Sequence, residues 1–284
     1  MEKILTNMKD LKYKLIISDF DGTLTASYFD LVDEVTEAVK EYRKAGGKFA
    51  LCSGRAVSDT SKVLGVNGFE CDAACFYQGA IVHVNGEPIL KGGVDISLAY
   101  DILSAVDKKW KRKYLAYIDD VMYASVDDPE TRLHTDFFEY NGGKVVFVED
   151  YLEFIKNAKG NMPKFIIIKG TDEDVSEIYK FIEENYGDKV CVNSGSPWFI
   201  EVISNKYTKG TAARLMAEKL GISEEYILTI GDSTNDLSMV QFGCGFAVAS
   251  GSEKLKAVAK HIAPPIKDMP VKYLIDKVLK GEDF

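Results

Sequence analysis

Several chemistries are made improbable by what this chain of 284 residues has little of. Its three histidines, His83, His134 and His261, are scattered too widely to read as a metal cluster or a general-base pair. Its five cysteines are odd in number and sit mostly inside or beside apolar runs. Cys71 and Cys75 have three residues between them, yet no second cysteine or histidine pair follows, so they read as reduced, buried thiols rather than a zinc site or a disulfide framework. No apolar run approaches the ~18 residues that a membrane-crossing helix needs, and Met1 to Asp10 lack the apolar stretch of a signal peptide. The expected location is therefore cytoplasmic, with no membrane partner. Positive charge is in deficit, with 35 lysines and arginines against 44 acids and a net charge of −9. Such a field repels a phosphate backbone, so nucleic acid is not an expected partner.

What is present is a core-forming composition, 46% hydrophobic, enough for one large or two medium domains. The first third alternates short apolar strands with amphipathic helices. Lys14–Ser18 reads as a buried strand, and Asp30–Ala45 as a helix with apolar residues at three- and four-residue steps, ended by Gly46-Gly47. Lys48–Cys52 is a second strand, and a helix after it runs to about Leu64. From Ala80 to about Ile203 the pattern changes to hairpins and helices, opening on an Asn85-Gly86 turn. The βα rhythm returns with a helix over Lys209–Leu220 and a strand over Tyr226–Ile230. The expected fold is α/β: a Rossmann-like parallel-sheet core over residues 1–80 and 204–284, split in sequence by an inserted α+β cap over residues 81–203.

Four polar stations stand at strand ends or a helix start of that core. Asp19 and Asp21, in Asp19-Phe20-Asp21-Gly22-Thr23-Leu24, arrive where the first strand stops. Two carboxylates about 4 Å apart repel by roughly 4 kcal/mol at an effective dielectric near 20, and a divalent metal is the usual means of offsetting that. Ser53-Gly54-Arg55 offers a hydroxyl and backbone N–H groups for an anion, or an ordinary helix cap, with Arg55 assisting or pairing at the surface. Lys209 begins a helix, where a cation opposes the dipole unless an anion lies nearby; Lys206 is the competing lysine. Gly231-Asp232-Ser233-Thr234-Asn235-Asp236 follows an apolar run, with Asp232 either a metal ligand supported by Asp236 or a turn residue before a first-turn acid. Jointly the four describe phosphoryl transfer, which is mostly positioning and charge stabilisation.

These motifs, in order and spacing over nearly the whole chain, resemble the haloacid dehalogenase (HAD) superfamily, and within it the Cof-type phosphatases with a large α/β cap. The resemblance implies that Asp19 is the nucleophile forming an aspartyl-phosphate and Asp21 the acid and base, with its backbone carbonyl on Mg²⁺. It implies carboxylate ligands from Asp19 and Asp232, an orienting Asp236, phosphate contacts from Ser53, Gly54, Lys209 and Asn235, and Mg²⁺ as cofactor. Departures from the family pattern stand at Gln78, where Asn is common, and at Ser250-Gly251 and Pro270. In the cap, Trp198 or Phe199 could stack on a sugar or ring, or belong to the cap core, and the resemblance implies that Glu201 meets a hydroxylated part of the substrate rather than a second phosphate.

The expected function is a Mg²⁺-dependent phosphatase of small phosphorylated metabolites, sugar phosphates or related cofactors. The alternative is a phosphohexomutase of the phosphomannomutase type, disfavoured because the cap lacks a dense basic cluster for a bisphosphate. A non-catalytic phospho-ligand sensor ranks last, having no use for both Asp19 and Asp21. The expected partner is a small phosphate ester; oligomeric state is left open and is compatible with a monomer.

Overall fold

The computed structural model describes residues 11–26, 31–168, 172–193 and 199–284. The chain opens with β1 (Leu15–Asp19), α1 (Asp33–Lys44), β2 (Lys48–Cys52), α2 (Val57–Val66) and β3 (Ala73–Phe76), followed by a hairpin of β4 (Ile81–Val84) and β5 (Glu87–Lys91). Then come α3 (Ile96–Trp110), β6 (Tyr114–Ile118), β7 (Val121–Ala124), α4 (Pro129–Tyr140), β8 (Lys144–Phe147), α5 (Tyr151–Asn157), β9 (Lys164–Ile168), α6 (Asp172–Tyr186), β10 (Val190–Asn193) and β11 (Phe199–Ser204). The last stretch holds α7 (Lys209–Leu220), β12 (Ile227–Gly231), α8 (Leu237–Val240), β13 (Cys244–Val248), α9 (Glu253–Lys256), β14 (His261–Ala263) and α10 (Pro270–Lys280).

Two compact units result. One comprises residues up to Arg55, Thr60–Leu90 and Thr208–Phe284; the other comprises Ala56–Asp59 and Lys91–Tyr207. The first is built on an eight-stranded sheet in the order β14-β13-β12-β1-β2-β3-β4-β5. It is parallel from β14 to β3 and turns antiparallel at β4. All five residues of β1 are buried, as befits a strand covered on both faces. Side chains of Leu15, Ile17 and Ala50 pack against Ala213 and Met216 of α7 on one face. Fully burying a Leu or Ile contributes about 1.5–3 kcal/mol each, so the centre of this sheet is its most strongly held part. The chain leaves β1 for β2 on one side, while β12 lies on the other, and such a reversal opens a crevice at the carboxyl ends of the strands.

The second unit has a six-stranded sheet, β10-β11-β9-β6-β7-β8, antiparallel except between β7 and β8. Its core gathers Ile102, Leu103 and Val106 of α3 and Ile178 and Ile182 of α6 around Ala116, Phe165, Ile167 and Ile200. Within this unit the Asp120 carboxylate accepts hydrogen bonds from the backbone N–H groups of Val57 and Ser58 at 3.0 and 2.9 Å.

Several details depart from the sequence reading. The hairpin expected to open the inserted segment instead extends the first unit's sheet through β3, and the division into units falls at Leu90/Lys91 and Tyr207/Thr208 rather than at 80/81 and 203/204. Pairing to β3 decides this: Cys75 and Phe76 align with Val82 and Ile81, an arrangement that no local pattern announces. Helix α4 and strand β8 have no counterpart in the sequence reading. The helix carries a proper start, with Asp128 accepting from Thr131 N–H at 3.0 Å and Pro129 in the first turn, but its buried face is Thr131, Thr135 and Phe138, and two threonines mask the apolar period. A sequence pattern that reads as one helix over Glu253–Lys260 gives a helix only to Lys256, and β14 follows. The helix expected to begin at Asp30 starts at Asp33; Asp30 lies outside the described residues.

Candidate active site

The site grows from the carboxyl ends of β1, β2 and β12. Asp19 ends β1 and is 4% exposed, and it stands beside Cys52, so Ser53 follows directly on the neighbouring strand. Asp232 comes one residue after β12, the neighbour on the other side. After Asp19 the chain folds tightly: Gly22 N–H bonds to Thr25 C=O at 2.8 Å, and Leu24 and Thr25 N–H both bond to Phe20 C=O. Gly22 has φ +83°, and a Cβ there would come within 2.6 Å of an Asp232 carboxylate oxygen. Only glycine allows this backbone conformation and this approach together.

The carboxylates of Asp19 and Asp21 do not face one another as rivals. Asp19 points inward, where Lys209 Nζ donates to its Oδ1 at 2.5 Å. Asp21 is half exposed and is held by Arg55, whose Nε and Nη2 donate to its two oxygens at 2.9 and 2.5 Å. The Arg55 side chain is 4% exposed and its guanidinium lies 4.6 Å from the centre of the Phe20 ring. Each carboxylate thus has its own cation. Sequence reasoning left Arg55 open between anion binding and surface pairing; burial and a two-pronged grip on Asp21 make it a positioning group.

The acids that do crowd Asp19 are Asp232 and Asp236. One oxygen from each of the three lies within 4.8 Å of the other two. Asp236 is fully buried and fully used: Oδ2 accepts from the N–H groups of Asp232 and Ser233, both at 3.0 Å, and Oδ1 accepts from Lys209 at 2.7 Å. It fixes the turn that presents Asp232. Thr23 Oγ1 donates to Asp232 Oδ1 at 3.3 Å, a contact absent from the sequence reading.

Lys209 is 2% exposed at the first position of α7, where Thr208 caps the helix and exchanges hydrogen bonds with Thr211. The anions that a cation at a helix start requires are Asp19 and Asp236. Lys206, the competing lysine, is exposed and belongs to the second unit.

Burial pushes the Asp19 carboxyl well above the ordinary aspartate value, Asp236 adds to this, and Lys209 opposes it. Asp232 is raised by burial and then by Asp236. Burial alone would lower Lys209, but the charges of Asp19 and Asp236 override it and hold its pKa well above the ordinary lysine value. Three carboxylates against one ammonium leave excess negative charge in a mostly dry place. An all-oxygen donor set of this kind suits a hard divalent cation such as Mg²⁺ and lacks the nitrogen and sulfur ligands that zinc or copper prefer. The residues present fit such an ion.

Ser53 is buried and its Oγ accepts from Arg55 N–H at 3.0 Å, leaving the hydroxyl hydrogen to donate. Asn235 is exposed and donates from Nδ2 to Oε1 of Gln78 at 3.1 Å. Gln78 also packs over Gly54, where a Cβ would come within 2.4 Å of Gln78 Nε2. The core residues proposed from sequence are thus assembled in one unit. Glu201, by contrast, is buried in the second unit, with its Oε1 accepting from Lys164 Nζ at 2.8 Å. Trp198 lies outside the described residues. Phe199 packs edge to face with His134, their ring centres 5.3 Å apart.

An open parallel α/β sheet with paired acids at its switch point, a lysine locked to one of them and a buried hydroxyl on the next strand defines a hydrolase-type site for phosphate esters. Residues 16–275 match the model of the haloacid dehalogenase-like hydrolases, and the chain belongs to that family. It is similar to YxeH of Bacillus subtilis, named a candidate phosphatase, with 28% identity over 251 residues covering 84% of this chain and 88% of that one. It is 24% identical to YitU of the same organism, named a 5-amino-6-(5-phospho-D-ribitylamino)uracil phosphatase, over 89% of this chain and 92% of the relative. Among solved structures, a Thermotoga maritima protein superposes with a TM-score of 0.82 at 24% identity, covering 93% of this chain and 97% of the other. A haloacid dehalogenase-like hydrolase from Bacteroides thetaiotaomicron gives 0.80 at 22% identity, over 94% and 100%. The chain is a phosphoric monoester hydrolase of the HAD superfamily.

Among the described residues, no helix is long and apolar enough to cross a membrane.

Proposed function

We propose that this protein is a Mg²⁺-dependent phosphatase of small phosphorylated metabolites, sugar phosphates or related cofactors, working through an aspartyl-phosphate on Asp19. The observation that carries the reading is the division of labour between two acids two residues apart: Asp19 buried and locked by Lys209, Asp21 half exposed and held by Arg55. In the first half-reaction an Asp19 oxygen attacks phosphorus, the ester P–O bond breaks, and the leaving oxygen takes a proton from Asp21. In the second, Asp21 takes a proton from water, whose oxygen attacks phosphorus and breaks the Asp19–phosphorus bond, releasing inorganic phosphate. Lys209 fixes the rotation of Asp19, and Asp236 fixes Lys209. Asp19 and Asp232 would hold the ion with the Asp21 carbonyl, which would neutralise charge on the phosphoryl oxygens.

Ser53, Gly54, Lys209 and Asn235 are proposed to meet the phosphoryl group, and the second unit to select the leaving group through Trp198 and Glu201. Glu201 reaches that role as half of an ion pair with Lys164, not as a free carboxylate. A phosphohexomutase is not favoured, since the relatives carry phosphatase names.

The test is a screen of phosphorylated metabolites for released phosphate, with and without Mg²⁺. It should include hexose phosphates, phosphorylated polyols such as a ribitylamino-uracil phosphate, and mannose 1-phosphate plus a bisphosphate activator as the mutase control. Phosphate release that Mg²⁺ restores after chelation supports the reading. Release indifferent to chelator and ion, or isomerisation without release, overturns it.

A further inference from the structure

Three consecutive residues after β3 have left-handed backbone: Tyr77 at φ 50°, Gln78 at φ 60° and Gly79 at φ 104°. Two of them are not glycine, and such conformations persist only where the surroundings force them. Here the surroundings are the site itself. Gln78 N–H bonds to Ser53 C=O at 3.0 Å and Tyr77 N–H to Arg55 C=O at 2.9 Å. A Cβ on Gly79 would come within 2.3 Å of the Thr208 carbonyl oxygen, next to Lys209. The segment is wedged between two stations of the catalytic unit, and its strain puts the Gln78 side chain over Gly54.

The amide of Gln78 has a fixed sense. Asn235 Nδ2 donates to its Oε1, so Nε2 and its two hydrogens turn toward Gly54. Among the described residues that nitrogen has no hydrogen-bond partner. Nearby cations are already engaged: Lys209 with Asp19 and Asp236, Arg55 with Asp21. A phosphate ester entering beside three carboxylates is stabilised further by neutral donors on its accessible side. Gln78 is partly exposed and Asn235 exposed, which puts this amide pair at the accessible rim.

Resting on the phosphatase reading, we infer that Gln78 is a substrate-contacting residue: its Nε2 donates to an oxygen of the phosphoryl group, with Asn235 holding the amide in the donating sense. The left-handed backbone is what aims it.

Three variants separate this role from a structural one. Gln78→Gly adopts φ 60° without strain, so its melting temperature should equal or exceed that of the wild type. It loses the donor, so the inhibition constant for inorganic phosphate should rise, and kcat/KM fall, by about 10- to 100-fold, the range for a hydrogen bond to a charged group. Gln78→Glu keeps shape and the bond from Asn235 but offers no donor and adds charge, so its loss should exceed that of Gln78→Gly; a purely structural role predicts the opposite order. Gln78→Asn, tolerant of left-handed backbone, should recover part of the loss. Wild-type phosphate inhibition and kcat/KM within about twofold in both Gln78→Gly and Gln78→Glu overturn the inference while leaving the phosphatase reading intact. A wild-type protein that neither releases phosphate from any ester nor binds inorganic phosphate overturns both.

Discussion

The two units place buried charge differently. In the first, three acids converge on one lysine, so the group carries more negative charge than the protein itself neutralises. In the second, buried Lys164 and Glu201 pair directly, the ammonium also lying 4.9 Å from the centre of the Tyr117 ring, and the charge of buried Asp59 adds to the field on that lysine. The sheets explain part of this. A parallel sheet ends several strands on one edge, where β1, β2 and β12 deliver Asp19, Ser53 and Asp232 together; an antiparallel sheet alternates its ends, so Lys164 on β9 and Glu201 on β11 meet across a sheet face instead. Three acids converging at strand ends suit a place that binds a cation, whereas a direct Lys164–Glu201 pair on a sheet face suits one that holds itself together.

That contrast can be broken by mutation. The largest effect is expected from Asp19→Asn, which removes the proposed nucleophile: phosphate release should fall by at least about 10⁴-fold with the thermal melt near that of the wild type. Retained turnover in the presence of Mg²⁺ would sink the mechanism. Asp21→Asn should cost about 10²–10⁴-fold and leave a phosphorylated protein that hydrolyses slowly, detectable by mass spectrometry after rapid quench. In the second unit the ranking should reverse, with stability moving more than chemistry. Lys164→Met leaves the Glu201 carboxylate buried without its partner and should destabilise by about 3–5 kcal/mol in denaturant melts, whereas Lys164→Met with Glu201→Leu should recover most of that. If the double variant regains stability but loses turnover of one leaving group only, the pair also reads substrate.

The smallest effect sharpens the contrast inside the first unit. Asp72 is a matched charge there, accepting from Phe49 N–H, Arg43 and Lys48. Burial opposes its ionisation, but these three partners outweigh burial and hold its pKa below the ordinary 3.8. A depressed carboxyl contributes stability that is present above its unfolded value and lost as pH falls through the folded one. Asp72→Asn should therefore lower stability by about 1–3 kcal/mol at neutral pH and flatten the acid limb of the stability profile, without changing kcat.

Much of the site was legible because each station pairs an apolar run with a fixed polar tail. A buried strand followed by Asp-x-Asp-Gly puts carboxylates at a sheet edge whatever the rest of the chain does. What was hidden depended on who pairs with whom. Arg55 could have faced solvent, and only its burial on Phe20 turned it onto Asp21. Gln78 looked like a departure from a pattern, and only its left-handed backbone over Gly54 made it part of the site. Helix α4 was hidden because its inward threonines carry no hydrophobic signal.

By itself the sequence determined the βαβ rhythm, the interruption after β3 and the identity of the four stations, because strand and helix periods and turn residues are local properties. Tertiary structure decided that the hairpin after Ala80 joins the first sheet, that Asp19 and Asp21 have separate cations, and that Asp232 and Asp236 rather than Asp21 crowd Asp19. Those outcomes rest on strand order and on contacts across roughly 200 residues, where the free energy lies in pairing and burial that no short window of sequence contains.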